Sequence, residues 1–268
     1  MTKASRRAAA AIALTSLIAA CSGGGGAASG RDATETPPTL RATPTERATP
    51  EPTRRPTPRP TPTAVARLDL EVSEYGYSTY QGEFDDGANL TWAVVVENPN
   101  ASHTWLATST DVRVSFYDSG GGVVASATDT IALVIPGQTA AVVGSDSYFS
   151  NPDLGLISSM DVRLGQPRWE EADGPLGAFE VSDVQIRHGQ FGDATVTGQV
   201  ASTFVEEIED AYATAVYRDA AGAIVGGDFT FIDFIPSGET IPFEISGFGT
   251  PPGTESADVF ITFSFLSF

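Results

Sequence analysis

The chain has 268 residues, of which 41% are hydrophobic, and a formal net charge of −19 at pH 7. So acidic a composition excludes nucleic acid as a partner, since phosphate backbones are bound by clustered lysine and arginine. It also disfavours electrostatic docking on anionic lipid headgroups. One cysteine and two histidines leave no material for an internal disulfide or for a metal site built from His and Cys.

The N-terminus has the features of a lipoprotein export signal. Lys3, Arg6 and Arg7 form a positive segment, and Ala8 to Ala20 is a mostly apolar stretch that is long enough for a secretory signal and too short to span a bilayer. Small residues precede Cys21, whose thiol is positioned for alkylation with diacylglycerol. We therefore predict a signal peptide at 1–20 and an acylated Cys21 that anchors the protein to the outer face of the cell membrane. An ordinary secretory signal, cleaved in the following glycine run, is the alternative.

The composition of residues 21–64 predicts a disordered linker. They contain a glycine run and then Thr-Pro repeats such as Pro56 to Pro62, and proline fixes φ and removes backbone donors, which favours extended polyproline-like chain over a core. Residues 22–64 carry a balance of +2, whereas residues 65–268 carry six arginines and 30 carboxylates, a balance of −24. The linker is interpreted as a stalk. A Pro-rich recognition segment and O-glycosylation remain open alternatives.

An internal repeat divides the remaining residues. Asp118 to Val124 matches Asp219 to Val225 at an offset of 101, and the same offset carries Pro136 to Thr139 onto Ser237 to Thr240. This predicts a first domain at 65–165, a short linker at 166–176 and a second domain at 177–268.

Within each copy, β-prone runs alternate with turn residues, and helical periodicity is nearly absent. The apolar positions of the best-defined strand alternate with their neighbours: Val112, Val114 and Phe116 in the first copy, and Ala213, Ala215 and Tyr217 in the second. The glycine-containing loops after Asp118 and Asp219 are typical of hairpin turns. The sequence therefore predicts an all-β protein with two tandem β-sandwich domains of six or seven strands each.

The strand ends Phe116-Tyr117-Asp118 and Val216-Tyr217-Arg218-Asp219, the glycine loop and the later Pro-Gly-Gln-Thr or Ser-Gly-Glu-Thr turn resemble the FxLYD family. The first copy departs from the family motif with Ser115 before Phe116, and the second departs from it with Arg218 between tyrosine and aspartate. The resemblance implies immunoglobulin-like domains in an extracytoplasmic setting. It brings no catalytic residues.

Few residues are suited to catalysis. His103 lies in a predicted loop and His188 at a predicted strand end, where solvated side chains are expected, and no Gly-x-Ser-x-Gly motif is present. We therefore predict no enzyme activity and no cofactor. Calcium remains open because carboxylates suffice as ligands; the candidates are Glu83 to Gly87 and Glu206 to Asp210, neither with EF-hand spacing.

Aromatic residues offer a second type of binding site, because they stack on sugars or anchor protein contacts. The candidates are Tyr75, Tyr77, Tyr80, Trp92 and Trp105. Trp92 begins an apolar strand and is expected in the core, whereas Trp105 and Trp169 are expected in connections. The last strand, from Val259 to Phe265, is expected to complete the second sandwich.

These observations favour a monomeric, non-catalytic binding or interaction module of the cell envelope, with an unknown envelope protein or glycan as partner. A structural spacer or accessory subunit is the second hypothesis, a glycan- or calcium-binding surface protein the third, and an enzyme the last. An interaction module should expose a contiguous apolar or aromatic patch, whereas a spacer should be covered by acidic residues. An enzyme should contain a deep pocket with converging polar groups.

Overall fold

The computed structural model describes residues 66–81, 88–101, 105–172, 174, 176–189, 193–247 and 250–265. By its contacts the chain forms two units, Met1–Thr61 and Pro62–Phe268. The predicted signal peptide, Cys21 and the linker at 21–64 lie outside the described residues. In the part of the chain that is described, no helix is long and apolar enough to cross a membrane.

Thirteen strands and one short 3-10 helix make up the described structure. The first half contains β1 (Glu71–Gln81), β2 (Ala88–Glu97), β3 (Trp105–Tyr117), β4 (Val123–Val134), β5 (Thr139–Asn151), the 3-10 helix (Pro152–Leu156), β6 (Ser159–Leu164) and β7 (Arg168–Glu171). The second half contains β8 (Phe179–His188), β9 (Ala194–Ser202), β10 (Ile208–Arg218), β11 (Ile224–Ile235), β12 (Thr240–Gly247) and β13 (Ser256–Phe263). The all-β prediction is confirmed.

The strands form four antiparallel sheets. Sheet I has the order β4-β3-β6 with β7 also on β3, sheet II is β1-β2-β5, sheet III is β11-β10-β13 and sheet IV is β12-β9-β8. Sheets I and II of the first half have the same strand order as sheets III and IV of the second half. The sandwich prediction is thus confirmed, whereas the division into two independent domains stays a prediction. The predicted linker at 166–176 contains strand β7.

Each half has a core between its two sheets, and the period-two pattern predicted the residues that fill it. In the first half, Trp92, Val94 and Val96 of β2 pack with Val112, Val114 and Phe116 of β3. In the second half, Val196 and Val200 of β9 pack with Ala213, Ala215 and Tyr217 of β10. Alternate residues point to opposite faces of a strand, so these sets form one face each.

The predicted hairpin turns are present and have the same structure in both halves. The carboxylate of Asp118 accepts hydrogen bonds from the backbone N–H groups two and four residues later, each at 2.8 Å. Asp219 makes the equivalent two bonds at 2.9 Å. Gly121 and Gly222 adopt φ angles of 83° and 82°, where a side chain would be strained. The two turns support the internal repeat.

The two halves are packed face to face, which the sequence did not reveal. A third apolar cluster joins the outer face of sheet II to the outer face of sheet III; its members are Ala93, Val95, Ala141, Val143, Val216 and Ile224, with Phe260 packed against them. The sheets therefore stack in the order I-II-III-IV. Strand β2 is buried on both faces, which explains its unbroken apolar run from Ala93 to Val96.

Candidate functional site

The junction between sheets II and III also contains backbone contacts that require glycine. The hydroxyl of Thr91 accepts a hydrogen bond from the N–H of Gly227 at 3.2 Å, and the Ser78 hydroxyl donates to the carbonyl of Val225 at 2.6 Å. A Cβ atom at Gly227 would overlap Val143 across the junction. The close approach of the two sheets therefore depends on a residue without a side chain.

An ion-pair network lies across the same junction. The guanidinium of Arg218 contacts Glu74 of the first half at 2.7 Å and Asp258 of the second half at 2.6 Å. Only 16% of the Arg218 side chain is exposed, whereas about half of each carboxylate side chain is exposed. The hydrogen bond that Arg218 donates to the Glu74 carboxylate is the main cause that raises the pKa of Arg218. A planar guanidinium holds two carboxylates at once, so this residue connects the halves.

Sheet II covers only part of the outer face of sheet III. Strand pairing places Tyr212 opposite Phe231 and Thr214 opposite Phe229, on the same face as the buried Val216. The exposed fractions of Phe229 and Phe231 are 45% and 54%. Their rings lie 5.8 Å apart, and the Tyr212 ring lies 5.7 Å from Phe229 and 4.7 Å from Phe231.

We call Tyr212, Phe229, Phe231 and the nearby Phe265 the aromatic patch. Phe265 follows β13 and is 48% exposed. An exposed group of aromatic rings of this size is uncommon on soluble proteins and marks contact surfaces. The patch continues the apolar junction out to the solvent.

A cleft of about 170 Å³ opens where the aromatic patch meets the first half. One wall comes from β4 and β5 of the first half, and the other comes from the outer face of sheet III. The residues that line the cleft include Asp129, Tyr212, Phe229 and Phe265. Ligand sites occur often at boundaries between structural units.

The carboxylate of Asp129 is the charged group in the wall of this cleft. Its described partner is the N–H of Thr130, which donates to Oδ1 at 2.7 Å. Partial burial raises the pKa of Asp129, and the Thr130 hydrogen bond lowers it to a smaller extent. Among the described residues, no basic side chain forms an ion pair with Asp129 within 4.0 Å. The cleft therefore combines aromatic walls with a carboxylate that lacks a described counterion.

The calcium candidates are not brought into a metal site in the described part of the chain. Glu83 to Gly87 lies outside the described residues. Glu206, Glu207 and Glu209 line an open hollow of about 510 Å³ beside Phe204. Within the described ranges, no group of three or more His, Cys, Asp or Glu side chains is placed to hold a metal ion.

The histidines are separated from the cleft. His188 ends β8 on the exposed surface of sheet IV, as the sequence predicted, and His103 lies outside the described residues. The lining of the cleft includes the Asp129 carboxylate, the Tyr212 phenol and the side chains of three threonines.

The aromatic residues chosen from the sequence occupy three kinds of position. Trp92 is buried in the first core, as predicted, and Tyr77 packs edge-on against Phe116 with ring centres 5.7 Å apart. The prediction that Trp105 and Trp169 lie in connections was wrong, because they belong to β3 and the four-residue β7, which pair with each other. So short a strand gives no detectable alternation.

The aromatic patch was not predicted from the sequence, although a signal was present. The repeat offset of 101 places Asp111, Thr128 and Thr130 in the first half where the second half has Tyr212, Phe229 and Phe231. In sheet I those residues form a polar surface, in which the Thr130 hydroxyl donates to Asp111 at 3.2 Å. Polar residues at three equivalent positions show that the fold does not require the aromatic rings.

The fold and the cleft define an all-β protein of stacked antiparallel sheets with exposed aromatic rings beside a small cleft. No family model and no curated protein matches the chain. Among solved structures, red sea bream transglutaminase is similar at 12% identity and a TM-score of 0.22, over 67% of this chain and 28% of that chain. The chain thus spans less than a third of that structure, and a similarity this low carries no argument about fold or activity.

Proposed function

We propose that this protein is a non-catalytic, lipid-anchored interaction module of the cell envelope. In this proposal Cys21 carries the lipid, residues 22–64 form a stalk, and the stacked sheets present a contact surface on the outer face of the membrane. The export features of the N-terminus and the resemblance to FxLYD domains support the location. The proposed partner is another protein of the envelope.

The observation that supports an interaction role over a spacer role is the aromatic patch. A spacer needs no exposed apolar surface, and exposed rings reduce solubility. The outer faces of sheets I and IV fit a spacer, because they carry polar residues such as Arg113, Asp161, Gln199 and Glu244. The outer face of sheet III differs by keeping three clustered rings in contact with water. Aromatic residues of this kind are the usual anchors of protein interfaces.

The contact surface is tested by capture from the native envelope in mild detergent, with the intact protein as bait. The matched variant is Phe229→Thr with Phe231→Thr, which installs the residues of the equivalent positions in sheet I. Val123→Thr is the control, since Val123 is an exposed apolar residue outside the patch. We expect an envelope protein that is retained by the wild-type and control proteins and lost with the double variant. Retention by none of the baits would favour the spacer role, and equal retention by all three would place the contact outside the aromatic patch.

The anchor is tested separately. We expect the mature protein to carry the mass of a diacylglycerol and acyl group on Cys21 and to partition into detergent, and Cys21→Ser to abolish both properties. A mature protein with a free Cys21 thiol would contradict the lipid anchor while leaving the contact surface untouched.

A further inference from the structure

The partner's chemistry can be inferred from the cleft, and this inference rests on the proposed interaction role. We propose that the cleft and the aromatic patch bind an extended polypeptide segment, with a lysine or arginine side chain in the cleft and apolar side chains on Phe229 and Phe231. The argument uses the charge of the cleft, its size and the shape of the exposed surface.

Charge complementarity favours a basic side chain. Aromatic faces attract cations, and the attraction increases when water is displaced. Tyr212, Phe229 and Phe265 supply such faces, and Asp129 supplies a carboxylate without a described counterion in the same cleft. Residues 65–268 have a charge balance of −24, so the surrounding field also attracts a basic segment and repels an acidic one. The same charge disfavours residues 65–268 of a second copy of this chain as the occupant.

Size and shape favour a polypeptide over a small organic cation. The cleft has a volume of about 170 Å³, below the range of about 300–1,000 Å³ that is typical of sites for drug-sized ligands. It is suited to one long side chain. Phe231 is exposed by 54% and is absent from the lining of the cleft, so a ligand confined to the cleft would leave it in water. An extended chain places alternate side chains on one face and reaches both features together.

The continuity of this surface with the established junction gives a third argument. Val216 of β10 is covered by sheet II, and Thr214 and Tyr212 lie next along the same face. The first half thus already uses this face of sheet III to bury apolar side chains. A bound segment would extend that burial over the remaining part of the sheet.

The test is a selection from a display library of random twelve-residue peptides on the full-length protein at physiological salt. Counter-selection on the Phe229→Thr, Phe231→Thr, Asp129→Asn triple variant removes peptides that bind the acidic surface elsewhere. We expect the surviving peptides to share one Lys or Arg with apolar residues at alternate positions on one side. Survivors without a basic residue, or no peptide that distinguishes the two proteins, would overturn the inference.

Single variants then assign the contacts. For a selected peptide measured by fluorescence anisotropy, we expect Asp129→Asn to weaken binding about 5- to 10-fold, and to have no effect once the basic residue is replaced by norleucine. The double variant Phe229→Thr, Phe231→Thr should weaken both peptides. Equal affinity for the basic and norleucine peptides would overturn the inference.

The proposed function and this inference fail in different experiments. An envelope partner that is lost with Phe229→Thr, Phe231→Thr but is indifferent to Asp129→Asn would keep the interaction role and overturn the basic segment. Loss of the envelope partner with both variants would support both.

Discussion

Sheets I and III occupy equivalent places in the two halves, but their outer faces have opposite characters. By the repeat offset, Ser115 of sheet I is equivalent to Val216 of sheet III, and Ser126 is equivalent to Gly227. Ser115 and Ser126 contact water, whereas Val216 and Gly227 are buried under sheet II. The same fold therefore presents either a solvent face or a docking face, and a few alternate residues decide which.

Sheets II and IV show the same difference. Strand β2 pairs with β5, and β9 pairs with the equivalent strand β12. These pairings align Ala93 and Val95 of β2 with Thr197 and Gln199 of β9. Each half thus has one face that docks on the other half, on sheet II or sheet III. The polar outer faces of sheets I and IV are the two ends of the stack. A contact between two different faces of repeated units can continue into an open filament. Here the polar residues on the outer faces of sheets I and IV stop the stack at two halves.

The largest expected effect comes from making a docking face polar. We expect Val216→Asp to lower the free energy of unfolding by about 3–5 kcal/mol, because it places an unpaired carboxylate between two sheets. The matched change Ser115→Asp should cost no more than about 1 kcal/mol, since that side chain contacts water and the cost comes from repulsion by Asp161, directly opposite on β6. Urea unfolding followed by circular dichroism measures both. Similar losses for the two variants would contradict the assignment of the faces.

The next effect concerns the close approach of the sheets at Gly227. We expect Gly227→Ala to cost about 1–3 kcal/mol because the new methyl group overlaps Val143 across the junction and the backbone carbonyl of Ala215 in β10. Ser126→Ala, at the equivalent exposed position, should change stability by less than about 0.5 kcal/mol. Adding Val143→Ala to Gly227→Ala should recover part of the loss. If the double variant shows only additive losses, the contact with Val143 is not the cause, and the contact with the Ala215 carbonyl is left as the explanation.

A smaller effect is expected from the ion pair that connects the halves. Arg218→Tyr installs the residue found at Tyr117 in the first half, and we expect it to cost about 1–2 kcal/mol because it leaves Glu74 and Asp258 without their shared cation. Glu74→Gln should cost less than about 1 kcal/mol, since its carboxylate is half exposed. Unfolding at low and high salt provides the measurement, and the Arg218→Tyr loss should shrink at high salt. A loss independent of salt would assign Arg218 a packing role instead.

The smallest effect concerns Asp129. The pKa of Asp129 is raised above the ordinary value of 3.8 in the folded state, so ionisation of its carboxyl disfavours folding. The protonated carboxyl contributes stability to the folded state at low pH, and this contribution is lost as the pH rises through the raised pKa. We expect Asp129→Asn to stabilise the free protein at pH 7 by no more than about 0.5 kcal/mol, because solvent screens the exposed group. The gain should vanish below pH 3.8. A variant that is less stable than wild type at pH 7 would reverse the sign argument.

Much of the fold could be predicted because strand periodicity and turn chemistry are local. Val112, Val114 and Phe116 fill the first core as their alternation indicated, and Asp118 and Asp219 close the predicted turns. The candidate site could not be found in the same way. Phe229 and Phe231 have the same alternation as core residues, and β7 was too short to show any pattern.

The sequence by itself determined the all-β class, the repeat and the set of residues that share each strand face, because alternation and turn residues act over a few positions. Only the tertiary structure decided which of those faces are covered. Val95 and Phe231 are both apolar and both point outward from their own sandwich, yet Val95 is buried in the junction and Phe231 is left in water. That outcome depends on how two sheets distant in sequence stack and on where the upper sheet ends.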